Sequence, residues 1–416
     1  MSPQPATTAS SSTASSRAVE LEILTTSAGR RSLSGFFLCG VLLSFLGMIL
    51  PAWGYHLLSQ FKLVGYYFLA LGVGQLLALR LSRYLLNRLS VQSILILSSL
   101  GAAAGLVLLG LYPPPSLMWW RMGGLVIVGA SAALLTTTVF HAITPVYCQD
   151  AAGTLNLSGM LYGAGSLACS LLVAATYYVY TPGNILFWIA LIALLLGVYF
   201  RRGKFPKTPA LQNLRAEERR SLKSVARDFQ SPGAVLFGLL LFFQFGNEGA
   251  LAGWLPLLLV QRLGVSPSTA LWILAEYWFF LVVGRGVAQA LLPRVSHPRL
   301  LLVSLLSATV GCLILATTVN VFGAVMAVFF VGSGFAMIYP LVTEKIGKRF
   351  HYYHPGFYNG IFSFANAGAV LAPFSVGYLT DWLGISAVML LPLLGTLTVF
   401  LLLAMISLES RLTSAK

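Results

Sequence analysis

Acidic residues are scarce. Only 11 of the 416 residues are Asp or Glu, and all charged types together make up 9% of the chain. A soluble domain carries about 25%. With 57% apolar residues and a mean hydropathy of +0.84, the chain has too little polar surface to cover a water-soluble globule. That excludes a soluble enzyme, and it excludes a disordered chain, whose composition would be polar. Cysteine is sparse as well. Cys39, Cys148, Cys169 and Cys312 are scattered, with no C-x-x-C pair, and three of them sit inside apolar runs. They read as small core residues, not as a disulfide framework or a metal site. The sequence also lacks a G-x-x-x-x-G-K-[ST] phosphate loop, a metal-ligand cluster and a nucleophile–base arrangement. No cofactor, no ATP-driven step and no enzymatic chemistry are therefore expected, and the energy for any work must come from an ion or solute gradient.

What is abundant is apolar sequence in long runs. A membrane span needs roughly 20 mostly apolar residues. Twelve candidates run near 33–58, 63–83, 90–112, 117–143, 152–179, 184–201, 233–261, 269–292, 299–319, 321–344, 357–380 and 385–408. They are continuous and do not alternate over about ten residues, so helices are expected and not a β-barrel. The 40 glycines and 19 prolines fit, since both are commoner in membrane helices than in soluble ones. The fold class is therefore an all-α integral membrane protein of twelve transmembrane helices.

The polar segments divide the chain. Residues 1–32 form a Ser/Thr/Ala-rich tail without a basic start and apolar core, which reads as a disordered cytoplasmic tail and not a signal peptide. A first six-helix bundle covers 33–201, a basic linker 202–232, a second bundle 233–408 and a short tail 409–416. The net charge of +15 would suggest nucleic acid in a soluble domain. Here the bases gather in a few loops, so no nucleic-acid partner is expected and the charge encodes orientation. Arg30, Arg31, Arg80, Arg83, Arg88, the central linker, Arg294, Arg299, Lys345, Lys348, Arg349 and Arg411 fall on one side. Little beyond Lys62, Arg121 and Arg262 falls on the other. Both termini are thereby expected in the cytoplasm, in a multi-pass protein of the cytoplasmic or inner membrane. Contact of the basic linker with anionic lipid is an alternative use of its charge.

The two halves look related at an offset near 203–210 residues. Span 5 begins at Asn156 and reaches Ala164-Gly165; span 11 begins at Asn359 and reaches Ala367-Gly368. Gly129 in span 4 matches Gly332 in span 10. Spans 1 and 7 each carry a Gly and then a Trp, Gly47 with Trp53 and Gly246 with Trp254. Parallel repeats of this kind place a solute site between the halves near the bilayer midplane, and rocking of the halves alternates access. Gly159, Gly163 and Gly165 are placed for close helix packing in span 5.

With these features in place, the chain resembles the major facilitator superfamily over about 33–408. Span 7, Gly246-Asn247-Glu248 followed by Gly253-Trp254-Leu-Pro256, is similar to the G-x-E-x₄-G-W-L-P stretch of the fucose permease-like sugar symporters. Span 8, with Tyr277-Trp278, Gly284-Arg285 and then Arg294, is similar to their Y/F-W … G-R … R stretch. The resemblance implies a secondary transporter with a sugar-like solute and a proton as coupling ion. Two features depart from that pattern: Ser82 stands where an Asp is usual after span 2, and spans 1 and 4 hold no acid.

Ionisable groups inside spans are costly, roughly 2.5–3.5 kcal/mol at a helix centre, which makes the few present the first candidates. Glu248 and Glu276 are the acids well inside spans. Burial disfavours the charged form of Glu248 and suits it to reversible proton uptake; Glu276 is the second proton-coupling candidate. Arg285 is the one base deep in a span, either a fork for an anionic group or part of a gate ion pair. Nine positions separate it from Glu276, about half a turn out of phase, so the two should not pair. Gln244, Asn247, Trp254, Asn366, Tyr162, Asn359 and Asn156 are the candidates for solute binding, with capping or gating an equal use for Asn156 and Asn359. Trp53 and Trp254 could stack on a sugar face or anchor at the interface. His56, His141, His351 and His354 read as solvated or hydrogen-bonded.

The favoured reading is a secondary active transporter moving a small polar, sugar-like solute by alternating access. The bilayer and the solute are its partners, a proton its coupling ion, and a monomer is sufficient. A proton-driven exporter of drug-like or amphipathic solutes is the alternative. A receptor or lipid-handling protein without gradient coupling is the third reading.

Overall fold

The computed structural model describes residues 27–58, 60–143, 151–203, 232–291, 294–349 and 361–414. Asn359, Cys148, His351, His354 and most of the basic linker lie outside the described residues. Twelve long helices carry the chain: α1 (Ser27–Ala52), α2 (Phe61–Arg88), α3 (Val91–Leu111), α4 (Met118–Ala142), α5 (Ala151–Thr176), α6 (Pro182–Arg201), α7 (Pro232–Leu263), α8 (Pro267–Leu291), α9 (His297–Thr317), α10 (Val321–Arg349), α11 (Ile361–Leu383) and α12 (Leu390–Ser414). There is no strand among the described residues. Two of the helices begin where a side chain satisfies a free backbone N–H group. Ser90 accepts from the Ser93 N–H ahead of α3, and Thr181 from the Asn184 N–H ahead of α6, where Pro182 supplies a preset first turn.

Eleven of these helices are long and apolar enough to cross a membrane. The twelfth, α11, is not among those eleven and carries Asn366 and Asp381, yet it packs along both α7 and α2. Several ends differ from those read in the sequence. Helix α1 starts at Ser27, inside the expected tail, and stops at Ala52, not at residue 58. The chain turns at Trp53-Gly54, where Gly54 has φ +79°, and a short helix Tyr55–Leu58 follows. Helix α12 starts at Leu390, after a 3₁₀ turn at Ile385–Met389, and runs to Ser414, past the apolar run that ends near 408. An ion pair lies just beyond that run. Arg349 Nη1 and Nη2 donate to Glu409 Oε2 and Oε1 at 2.6 and 2.5 Å, a two-pronged fork that fastens α12 to the end of α10. Those hydrogen bonds hold Arg349 above its usual range.

Contacts repeat between the halves. In the first, α1 packs on α5, α2 on α4, α3 on α4 and α3 on α6; in the second, α7 packs on α11, α8 on α10, α9 on α10 and α9 on α12. Glycines make the equivalent crossings. A Cβ at Gly165 would lie 1.9 Å from the Phe37 carbonyl oxygen, and one at Gly368 would lie 2.0 Å from that of Phe242. Gly129 and Gly332 likewise face the Leu71 and Tyr277 carbonyls. Backbone cannot move aside as a side chain can, so Gly368→Val should cost at least the ~1–3 kcal/mol typical of overpacking. A melting curve of the detergent-purified variant checks this. Gly123→Ala, where a Cβ meets nothing within 4 Å, should stay within about 0.5 kcal/mol of the parent.

The halves meet along α5–α8, α2–α11 and α1–α7. At the end bearing Lys62, Arg121 and Arg262 the contact is polar as well as close. Lys62 pairs with Asp381 at 2.6 Å, the Tyr66 and Tyr378 hydroxyls lie 2.5 Å apart, and Gln261 donates to the His56 carbonyl at 2.8 Å. Burial in this crowded turn lowers the His56 imidazole below its ordinary value.

Candidate functional site

A cavity of about 250 Å³ lies between the halves, walled by α1, α2, α4, α5, α7, α8, α10 and α11. At ~30 Å³ each, that is room for roughly eight waters. Most of its wall is apolar or aromatic, with Phe36, Phe68, Phe140, Phe245 and Trp278 among the lining residues. The polar groups are few: Glu248 from α7, Arg285 from α8, Tyr162 and Ser158 from α5, Asn366 from α11, Gln75 with Ser44 from α2 and α1, and the hydroxyls of Thr136 from α4 and Tyr339 from α10. An apolar wall with a small number of placed polar groups is the usual composition of a small-molecule site.

Glu248 sits where α7 passes the middle of the bundle. One turn earlier on the same face, Gln244 donates from Nε2 to Glu248 Oε1 at 2.8 Å. Gln244 is itself fully buried, so it holds the carboxyl and does not face a solute. Glu248 is partly exposed, and that exposure is to the cavity. Arg285 approaches from α8 and is 5% exposed. Its guanidinium lies over Gly159, where a Cβ would meet Nη1. Any larger residue at 159 would displace the arginine. Arg285 and Glu248 both line the cavity, yet among the described residues no ion pair joins them, and buried Arg285 Nε has no hydrogen-bond partner.

The remaining candidates fall into three places. Tyr162 and Asn366 line the cavity, and the Tyr162 ring meets Trp278 edge-on at 6.1 Å. Asn156 lies nearer the basic end, in the α5–α8 contact, where its Nδ2 donates to Gln289 Oε1 at 3.0 Å and to the Arg285 carbonyl at 3.3 Å. Asn247 and Trp254 point elsewhere. Asn247 is fully buried against α12, donating to Thr396 Oγ1 at 3.4 Å with Gly395 beneath it. Trp254 is fully buried behind the cavity end, its Nε1 donating to the Pro373 carbonyl at 2.9 Å and its ring 6.1 Å from Phe68. It is neither exposed to a solute nor at a lipid interface. Trp53 is buried too, packed edge-on against Tyr55 and Tyr67. Glu276 is partly exposed and lies off the cavity wall, on the other side of α8 from Arg285. His56 and His141 also lie off the wall; His141 is buried.

Gln75 was not among the residues singled out from the sequence, although a signal for it was there. Gly74-Gln75 in α2 and Gly284-Arg285 in α8 are 210 positions apart, within the offset of the internal repeat. The cavity wall contains both members of that pair, so the repeat carries a polar site from one half to the other.

A sequence profile described as Major Facilitator Superfamily matches residues 33–369. No curated protein sequence matches the chain. Solved structures do. A Major Facilitator Superfamily transporter, FucP, in an outward conformation superposes with TM-score 0.62 at 18% identity, over 91% of this chain and 98% of that one. A D-xylose-proton symporter gives 0.67 at 15% identity, over 89% and 95%. The nucleoside transporter NupG gives 0.66 at 13%, over 94% and 98%. At such identities the likeness is one of fold.

Proposed function

We propose that this chain, which belongs to the Major Facilitator Superfamily and is a multi-pass membrane transporter and not an enzyme, carries a small polar, sugar-like solute together with a proton. The observation that carries the reading is the position of Glu248. Among the described residues it is the acid that lines the cavity between the halves. A carboxyl at the meeting point of two rocking bundles can take a proton from either side in turn. Gln244 orients it, and Gln75, Tyr162 and Asn366 offer donors and acceptors to solute hydroxyls. Asn156 serves the α5–α8 contact as a gate residue. Glu276 has no place on the cavity, so coupling is assigned to Glu248. Two of the structural neighbours are proton symporters, one of fucose and one of D-xylose, which supports this solute class.

The excess of Lys and Arg at one end supports a cytoplasmic location for that end and for both termini. The opposite end is the one joined by Lys62–Asp381 and Tyr66–Tyr378, so that end is closed in this conformation. A monomer suffices, because both halves of the site come from one chain. A second reading has one observation in its favour: the largely apolar wall would also suit an amphipathic solute leaving the cell by proton antiport.

Proteoliposomes loaded with a pH-sensitive dye separate the two. Symport predicts that adding the transported sugar or sugar acid outside acidifies the lumen. Antiport predicts alkalinisation as an amphipathic substrate enters. No pH change with any solute that is itself taken up would sink proton coupling.

A further inference from the structure

Arg285 is a buried guanidinium that no acid among the described residues neutralises at contact distance. It lies over Gly159, lines the cavity, forms no ion pair with Glu248 and leaves Nε without a partner. Buried charges are ordinarily paired, because an isolated one in a low-dielectric interior is expensive. The planar fork of arginine suits a two-oxygen anion in particular. The other groups on the wall are neutral apart from Glu248. A charge count over the transport cycle then decides what the missing partner is.

We propose that the solute bears a carboxylate that docks on Arg285, so that proton and anion cross as a charge-compensated pair. This rests on the proton-symport reading and narrows its substrate class from sugar-like solutes to their acids and to similar hydroxylated monocarboxylates. In the empty carrier, ionised Glu248 and Arg285 share one cavity and their charges cancel. In the loaded carrier, Glu248 holds the proton and the solute carboxylate takes its place opposite Arg285, so the charges cancel again. Both forms that must reorient are neutral at the midplane. A neutral sugar taken up with a proton would leave one uncompensated positive charge there, in the segment where charge is most costly. The same count explains the coupling. The anion is poorly held while Glu248 is ionised, because Arg285 is then already balanced. It is well held once the proton has arrived. Gly159 is the clearance that lets the fork lie flat on the wall, and Trp278 beside it offers a face for the body of the solute.

The test uses the full chain, purified in detergent, with D-gluconate, D-galacturonate, L-lactate and shikimate as probes and D-glucose and D-galactose as neutral counterparts. A ligand that binds the folded state raises its melting temperature by mass action. The expected result is stabilisation by at least one carboxylate and by neither neutral sugar. That shift should be lost in Arg285→Gln and its half-saturating concentration raised at least about tenfold in Arg285→Lys, a loss of about 1.4 kcal/mol. Arg285→Gln removes a guanidinium that makes no direct ion pair, and Glu248 can stay protonated in its absence, so the ligand-free variant should melt close to the parent and loss of binding is distinguishable from loss of fold. In vesicles, uptake of the carboxylate should follow the pH gradient and ignore a potassium-diffusion potential of either sign. No shift with any carboxylate, a carboxylate shift kept in Arg285→Gln, or uptake that responds to the potential overturns the proposal. Proton influx driven by a neutral sugar would overturn it while leaving proton symport standing. Carboxylate binding without proton influx would remove the symport reading on which it rests.

Discussion

Glu248→Gln should abolish uphill accumulation and spare exchange. One pH unit across the membrane is worth about 1.36 kcal/mol per proton, a factor of ten. Vesicles one unit more alkaline inside should therefore concentrate the solute about tenfold if one proton moves with it. Glutamine keeps the shape and the hydrogen bond with Gln244 but cannot release a proton. The variant is fixed in the equivalent of the protonated state, so it binds and reorients only with solute aboard. Accumulation should fall to the equilibrium ratio of one, while exchange of labelled for unlabelled solute, which needs no proton release, continues. The measurement is the pair of initial rates, net uptake under a gradient and exchange without one. Loss of both would point to a structural carboxyl, and an unchanged dependence on the gradient would remove Glu248 from the coupling mechanism. Gln244→Ala should show a milder version, because it removes the partner at 2.8 Å and leaves the titrating group in place.

The fold was largely legible in the sequence, the site only in part, and helix rotation is what separates them. Apolar runs announce spans because the bilayer demands length and low polarity. The internal repeat was read from Gly129 with Gly332 and Gly165 with Gly368, and the structure places each pair at equivalent backbone crossings. Which side of a helix faces the cavity is harder. A soluble helix reveals its buried side by an apolar stripe, but a helix apolar all round has none. On α7, Gln244, Asn247 and Glu248 are neighbours in sequence. Only Glu248 reaches the cavity, while Asn247 turns about a quarter of a revolution away to meet α12. Trp254 looked like a stacking or interfacial ring because it sits near a span end. It is instead packed under Phe61 and Phe68 at the closed end, since α1 and α2 cover it there, and no periodicity within α7 encodes that cover. Where the phase of one helix sufficed, the sequence spoke clearly: the nine-residue spacing of Glu276 and Arg285 puts the two on opposite sides of α8.

Gly377→Leu should jam the closed end open and stop turnover without unfolding the protein. In the present conformation a Cβ at 377 would lie 2.8 Å from the Gly65 Cα and from the Phe61 carbonyl oxygen, and a Cβ at Gly65 would lie 2.8 Å from the Phe374 carbonyl. The two helices touch there backbone to backbone, next to the Tyr66–Tyr378 contact and the Lys62–Asp381 pair. That ion pair is substantially exposed and contributes at most about 1 kcal/mol, so the steric fit of the glycines and not the charges decides whether the end can close. Overpacking by a leucine costs about 1–3 kcal/mol, against this conformation alone, because the opposite conformation separates the same surfaces. A difference of that size shifts the population about 5- to 150-fold toward the outward-facing form. Transport rates should drop accordingly, while the melting temperature changes little. A cysteine at Ser44, on the cavity wall, reports the shift in a chain whose native cysteines are serine. Its labelling by an impermeant maleimide added from outside should accelerate in Gly377→Leu and be unaffected by Gly123→Leu, where a Cβ meets open space. If labelling and transport both match the parent, the glycine contact is packing without a part in access. If labelling rises and transport persists, closure of this end is not required for turnover, and rocking about the α2–α11 contact is the wrong motion for this carrier.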